Sequence, residues 1–352
     1  MLDRRAFVAG GLASVLAAAW ARPAGAAETR TVVDAAQRRV AVPARVERVF
    51  AAGPPACVLI CAVAPDRLLG WTRALTVEER AYLPARVGEL PTLGRLTGRG
   101  NTANVEVVLA SKADVIVDYG SVTATYASLA DRVQAQTQVP YLLLDGRLGE
   151  IPSAVRLMAD VCGIADRGQK LAAYAERVLA DVDRRVAKVP AARRPRFYYA
   201  RGANGLETAR GQSITTESLE RMGARNVVEA GGEGGGLASV TLEQVLAWDP
   251  DVIVTIHEGF ADVAANDPAW KTLRAVRERR VFSAPLLPFA WIDSPPSLNR
   301  LIGLKWLGAV LYPDEFKDDL RADAQEFYAL VYQRAPDAAQ LDALLRRLPR
   351  RG

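Results

Sequence analysis

The chain has 352 residues, half of them apolar and about a quarter charged, which is enough for two domains with buried cores and excludes disordered, collagen-like and disulfide-scaffold classes. Lys and Arg exceed Asp and Glu by five, an excess too mild over this length to indicate a nucleic-acid binder. A single histidine, His257, and three cysteines exclude multi-histidine and multi-cysteine metal centres.

Residues 1–26 read as an export leader, not as structure. Arg4 and Arg5 form a twin-arginine pair with Phe7 two residues on. An Ala/Gly-rich run follows, then Arg22 and the small residues Ala24-Gly25-Ala26. The run is too short and too weakly apolar for a permanent span. A twin-arginine signal fits best, with a Sec-type signal or a membrane anchor as the other readings. The mature chain is expected to start near Ala27 and to be soluble in the periplasm. Cys57, Cys61 and Cys162 then meet an oxidising compartment. Their apolar surroundings favour buried free thiols over a disulfide.

Strands are expected at Thr31–Asp34, Arg39–Val42 and Val46–Ala51. Gly53-Pro54-Pro55 stops the third, and a helix follows over Ala56–Ala64. Further strands fall at Leu68–Trp71, Asp114–Val117 and Tyr141–Leu144, with helices at Val105–Ser111 and Ile151–Cys162. Such alternation argues for a parallel α/β sheet. Arg167–Val189 reads as one long helix. Strand Arg196–Ala200 opens a second α/β run. The second half repeats the first: NVEVVLASKADVIV (104–117) aligns with TLEQVLAWDPDVIV (241–254). The expected architecture is α/β, two lobes with central parallel sheets joined by one long rigid helix. The lobes span 27–165 and 191–352, and the helix 166–190.

Ligands of open sheets sit beyond the carboxyl ends of the strands. That rule nominates Pro54, Trp71, Arg73, Tyr119, Ser121, Tyr199, Arg201, His257, Phe289 and Trp291. Arg201 suits an anion through charge-assisted bonds. Trp291 and Phe289 suit an apolar wall or plain core packing. Arg95, Arg99 and Arg210 are candidates for a basic rim. Glu217 opens a short helix capped by Thr215 or Thr216, where it complements the helix dipole. The glycine cluster 231–236 reads as a loop. No Walker loop and no G-x-S-x-G elbow occur. An exported hydrolase using His257 as base would need a nucleophile that no motif supplies. A partner-binding protein on the same fold is the third reading.

The segment TVVDAAQRRVAVPARVERVFAAGPPACVLICAVAPDRLLGW, with SITTESLERMGARNVV and the two repeat segments, resembles periplasmic binding proteins of iron-chelate and cobalamin ABC importers, over roughly residues 30–335. The resemblance implies two Rossmann-like lobes, ligand capture between them and delivery to a membrane permease by a protein that is no enzyme. It also implies a docking glutamate on each lobe: Glu217 on the second, and Glu79 or Glu89 on the first. No cofactor and no nucleic-acid partner are expected, and the protein is expected to be a monomer. A lone histidine departs from the zinc and manganese binders. The tail SPPSLNRLIGLKWLGAVLYPDEF is similar to a subgroup that includes molybdate and tungstate binders. A ferric siderophore is the first expectation for the ligand. Molybdate or tungstate, haem and cobalamin are the alternatives, haem through His257 or a cleft tyrosine and an oxyanion through Arg201 and Ser121.

Overall fold

A computed structural model of the chain describes residues 28–98, 103–230 and 236–346. The leader, Arg99 and the glycine-rich stretch 231–235 lie outside the described residues. Eleven strands occur among the described residues. They are β1 (Thr29–Val33), β2 (Arg39–Pro43), β3 (Val49–Ala51), β4 (Val115–Gly120), β5 (Tyr141–Asp145), β6 (Arg196–Ala200), β7 (Glu207–Ala209), β8 (Arg225–Asn226), β9 (Leu237–Ser239), β10 (Val252–Thr255) and β11 (Val281–Ser283).

The first lobe carries a parallel sheet in the order β3-β4-β5, and the second a parallel sheet in the order β11-β10-β6-β8. Their central strands are buried on both faces and apolar apart from Asp118 in β4 and Thr255 in β10, as expected of parallel sheets covered by helices. β1-β2 and β7-β9 are small antiparallel pairs. The expected strand at 68–71 reduces to single bridges, Leu68 to Val49 and Trp71 to Thr92. Gly70 lies between them with no room for a side chain, since a Cβ there would stand 2.5 Å from the Pro91 carbonyl oxygen.

The internal repeat is structural. Each copy is a seven-residue helix, Val105–Ser111 or Leu242–Trp248, leading into a central strand. Both helices are capped at the start by a side chain, Asn104 accepting from the Val107 amide and Thr241 from the Gln244 amide. Both end on a left-handed residue, Lys112 (φ 49°) or Asp249 (φ 37°). The matched aspartates do the same work. Asp114 Oδ2 accepts from the Glu47 and Arg48 amides at 2.7 and 2.8 Å, and Asp251 Oδ2 from the Arg196 amide at 2.7 Å. Each carboxylate ties its own strand to the start of the strand beside it.

The helix Ala165–Val186, 22 residues and about 33 Å long, runs between the two sheets. It buries a stripe from Leu171 through Val178 to Val186. The helix Arg300–Leu311 packs on it. That helix meets the Trp291 backbone at Gly303, where a Cβ would come within 2.0 Å of the Trp291 carbonyl oxygen. The chain end then returns to the first lobe. Arg334 donates to the Leu83 carbonyl at 3.2 Å, and Gln340 Nε2 to the Ala81 carbonyl at 3.1 Å. Among the described residues no helix is long and apolar enough to cross a membrane.

Cys57, Cys61 and Cys162 are free and buried. Burial pushes all three thiols up to about 12. A thiolate-seeking chromogenic reagent is therefore expected to label none of them in the native protein and all three in guanidinium chloride. Labelling at native rates comparable to a free thiol would contradict this packing.

Candidate functional site

Two hollows open between the lobes. The smaller, about 140 Å³, sits at the head of the helix Pro54–Val63. Its first-lobe lining is Pro54, Pro55, Thr97, Gly98, Asp118, Tyr119, Gly120, Ser121 and Tyr126, and its second-lobe lining is Ile214 and Pro296. The helix head is set by Gly53. A Cβ there would lie 2.6 Å from Thr97 Oγ1, so only glycine lets the Thr97 loop close on β4. A helix N-terminus favours an anion through its dipole and free amides. Pro54 and Pro55 supply no N–H, so side-chain hydroxyls must complete any anion cradle here. Thr97, Ser121 and Tyr126, which line the hollow, carry such hydroxyls.

The Tyr119 hydroxyl is buried and has no hydrogen-bond partner among the described residues. Burial raises its pKa, and the nearby Arg300 charge partly offsets that rise. Ser121 is exposed at the rim. Asp118, 6 % exposed, forms the floor. Thr97 Oγ1 donates to its Oδ1 at 3.1 Å and Tyr141 Oη to its Oδ2 at 3.3 Å. Burial nevertheless outweighs these bonds and holds the carboxyl at about 6. Because that value lies above the unfolded one, Asp118 favours the fold at acid pH and the contribution fades as pH rises through about 6.

The lobes touch directly beside this hollow. Ser297 Oγ donates to the Pro55 carbonyl at 3.0 Å. Glu217 Oε2 accepts from the Leu148 amide of the first lobe at 2.9 Å and from Arg300 Nη1 at 2.9 Å. Arg300, fully buried, also donates to the carbonyls of Gly146, Ile214 and Ser297. Glu217, the second-lobe docking glutamate that the resemblance implies, has its carboxylate at the lobe junction with its side chain 26 % exposed. The expected threonine cap is absent. Thr216 Oγ1 lies against the Ser213 carbonyl at 3.2 Å and gives the helix Glu217–Arg221 no side-chain cap.

The larger hollow, about 480 Å³, is lined by Thr76, Glu78 and Glu79 of the first lobe, by His257, Glu258 and 283–287 of the second, and by Ala343, Leu344 and Arg346 near the chain end. His257 Nδ1 is buried there and has no partner among the described residues. Glu79 caps its own helix with Thr76 and pairs with Arg73. Arg73 is thereby tied to a carboxylate. Glu89 is exposed at the end of the helix Ala85–Gly88.

Of the ten nominated ligand residues, the small hollow gathers Pro54, Tyr119 and Ser121, and the large one holds His257. The aromatic wall is corrected to core. Trp71 and Phe289 pack at 5.7 Å between ring centroids, and Trp71 Nε1 donates to the Val87 carbonyl at 2.8 Å. Trp291 Nε1 donates to Tyr328 Oη at 3.0 Å. Their polar atoms are satisfied inside the fold, so burial rather than ligand contact accounts for them. Tyr199 and Arg201 are likewise engaged. Tyr199 Oη donates to Asp293 at 3.1 Å, and Arg201 pairs with the same carboxylate. Of the rim candidates, Arg95 is half-buried and Arg210 exposed, and neither lines a hollow. Asp118, Thr97 and Arg300 were not nominated. Asp118 directly follows the expected strand Asp114–Val117 and so was legible as a strand end bordering the cleft. Arg300 sits in an apolar helical run, where no sequence signal marks its role.

Comparison with known proteins places this geometry in a family. A model of the periplasmic binding protein family matches residues 82–286. The molybdate-binding protein MolA of Haemophilus influenzae is 30 % identical over 274 residues, covering 69 % of this chain and 74 % of that protein. An ABC transporter solute-binding protein from Sulfurospirillum deleyianum superposes with a TM-score of 0.83 at 27 % identity, covering 90 % of this chain and 99 % of that one. The structure of MolA bound to molybdate shares the fold, with a TM-score of 0.71 at 22 % identity over 88 % of this chain and 99 % of that one. With two lobed parallel sheets, one linking helix and hollows between the lobes, the chain belongs to the periplasmic binding protein family, the solute-binding components of ABC transporters.

Proposed function

We propose that this protein captures a small tetrahedral oxyanion of the molybdate or tungstate class in the hollow at Pro54, Thr97, Tyr119 and Ser121, and delivers it to an ABC permease after export by its amino-terminal signal. The size and lining of that hollow carry the reading. About 140 Å³ is room for a compact ion of a few oxygens about one centre. Drug-sized ligands such as siderophores need about 300–1,000 Å³. A helix head and the hydroxyl-bearing residues Thr97, Ser121 and Tyr126 line the space, and a relative at 30 % identity is named for molybdate.

A ferric chelate, the first expectation from sequence, becomes the second reading. It rests on the larger hollow, whose volume is adequate. Glu78, Glu79 and Glu258 line that space against one arginine, which disfavours an anionic chelate. Of the first-lobe glutamates expected to dock on the permease, Glu89 keeps a free outward position. Titration calorimetry of residues 27–352 with molybdate, tungstate, sulfate and a ferric hydroxamate separates the readings. Saturable binding of molybdate or tungstate is expected. Saturation by the hydroxamate with silence from the oxyanions would overturn the proposal.

A further inference from the structure

The buried carboxylate on the floor of the small hollow has no evident place in a receptor for anions. Asp118 is nearly inaccessible, and a doubly charged oxyanion held above it would face a second negative charge in a medium that screens poorly. Among the described residues no cationic side chain pairs with it. Its side-chain hydrogen-bond partners among the described residues are the Thr97 and Tyr141 hydroxyls, both neutral, and the Tyr119 backbone amide adds a further bond. Among the described residues the elements packed around it add no charged side chain of positive sign, and the head of the helix Pro54–Val63, with Gly53 beside Oδ1, adds only its dipole. Tyr126 comes from the helix Ala124–Thr137, Tyr141 from β5, and the second lobe contributes Ile214 and Pro296. Arg38 lies behind Tyr141, donating to its carbonyl at 3.1 Å and pairing with Asp34 and Asp131.

We propose, resting on the oxyanion reading above, that Asp118 is the positioning residue that couples capture to protonation: the oxyanion binds only with Asp118 protonated, and one proton is taken from solvent for each ion held. The hydrogen bonding supports this directly. Ionised, the carboxylate accepts from Thr97 Oγ1 and holds that hydroxyl's proton away from the ligand. Protonated on Oδ1, it donates to Thr97 Oγ1 instead, and the Thr97 hydroxyl turns its own proton toward the hollow it lines. Protonation thus removes a repulsive charge and creates a donor in one step. Burial already brings the empty site to about 6, so an arriving dianion has only to extend an existing rise.

The sign follows from linkage. Affinity is greatest below about pH 6 and falls as pH rises, by about tenfold per unit while Asp118 stays protonated in the complex. Molybdate is the probe, since it remains fully ionised across this window. Its dissociation constant is expected to weaken about 100-fold between pH 6 and pH 8. Calorimetry at pH 7.5 in two buffers of different ionisation enthalpy is expected to count about one proton taken up. Asp118→Asn, which donates without a charge, is expected to bind with no pH dependence over the same range. The proton count on the native protein decides the matter even if that variant misfolds. Tight molybdate binding with a flat pH profile and no proton uptake would overturn this inference and leave the oxyanion reading standing. Absence of molybdate binding at every pH would overturn both.

Discussion

Glu217→Ala is expected to destabilise the protein by about 3 kcal/mol in urea denaturation, far more than a typical surface change. The substitution leaves the fully buried Arg300 guanidinium without its counter-charge and takes the acceptor from the Leu148 amide. Removing one partner of a buried pair costs about 3–5 kcal/mol, chiefly because an uncompensated charge stays behind. The lower end applies because Glu217 itself keeps some contact with water. Glu217→Gln retains an acceptor for Leu148 and should lose less. Pairing Glu217→Leu with Arg300→Met removes both charges, so the double variant should be more stable than Glu217→Ala. Losses below about 1 kcal/mol for Glu217→Ala would mean that water reaches Arg300 and that the junction is looser than described.

Gly120→Val should do the opposite, sparing the fold and closing the site. Gly120 ends β4, its φ lies outside the left-handed region, and a Cβ there would meet nothing within 4 Å because it projects into open space at the small hollow. Three added carbons fill much of a hollow of about 140 Å³. Stability is expected to change by no more than about 0.5 kcal/mol. Oxyanion affinity is expected to fall at least 100-fold, or about 2.7 kcal/mol at 1.36 kcal/mol per tenfold. Unchanged affinity in a folded variant would locate the ligand elsewhere, and the larger hollow at His257 would take its place. The neighbouring Gly146 offers the contrast. A Cβ there would stand 2.7 Å from the Gly120 Cα, so Gly146→Val should damage the fold before it reports on binding.

Much of the architecture was readable in advance because it rests on local pattern. Strand Arg196–Ala200 and helix Val105–Ser111 fall where apolar periodicity put them, and the repeat 104–117 against 241–254 recurs as two capped helix–strand units. The three cysteines lie in apolar runs and are buried. The site was readable only as a set of strand ends. Pro54, Tyr119 and Ser121 line the small hollow because residues at the carboxyl ends of parallel strands border the space between the lobes. Trp71, Phe289 and Trp291 obey the same rule of position and are nonetheless core, because a strand-end aromatic can turn into the fold as readily as out of it.

The sequence by itself determined the α/β class, the two sheets and the linking helix. These follow from the period of apolar residues and from glycine and proline punctuation, which act within a few residues. Only the tertiary structure decided that Glu217 faces Arg300 across the lobe junction, that Asp118 lies buried under hydroxyls from Thr97 and Tyr141, and that the chain end returns to Leu83. Each depends on groups between 21 and 251 positions apart. The charge and burial of a side chain are set by neighbours that folding brings close, and local periodicity carries no record of them.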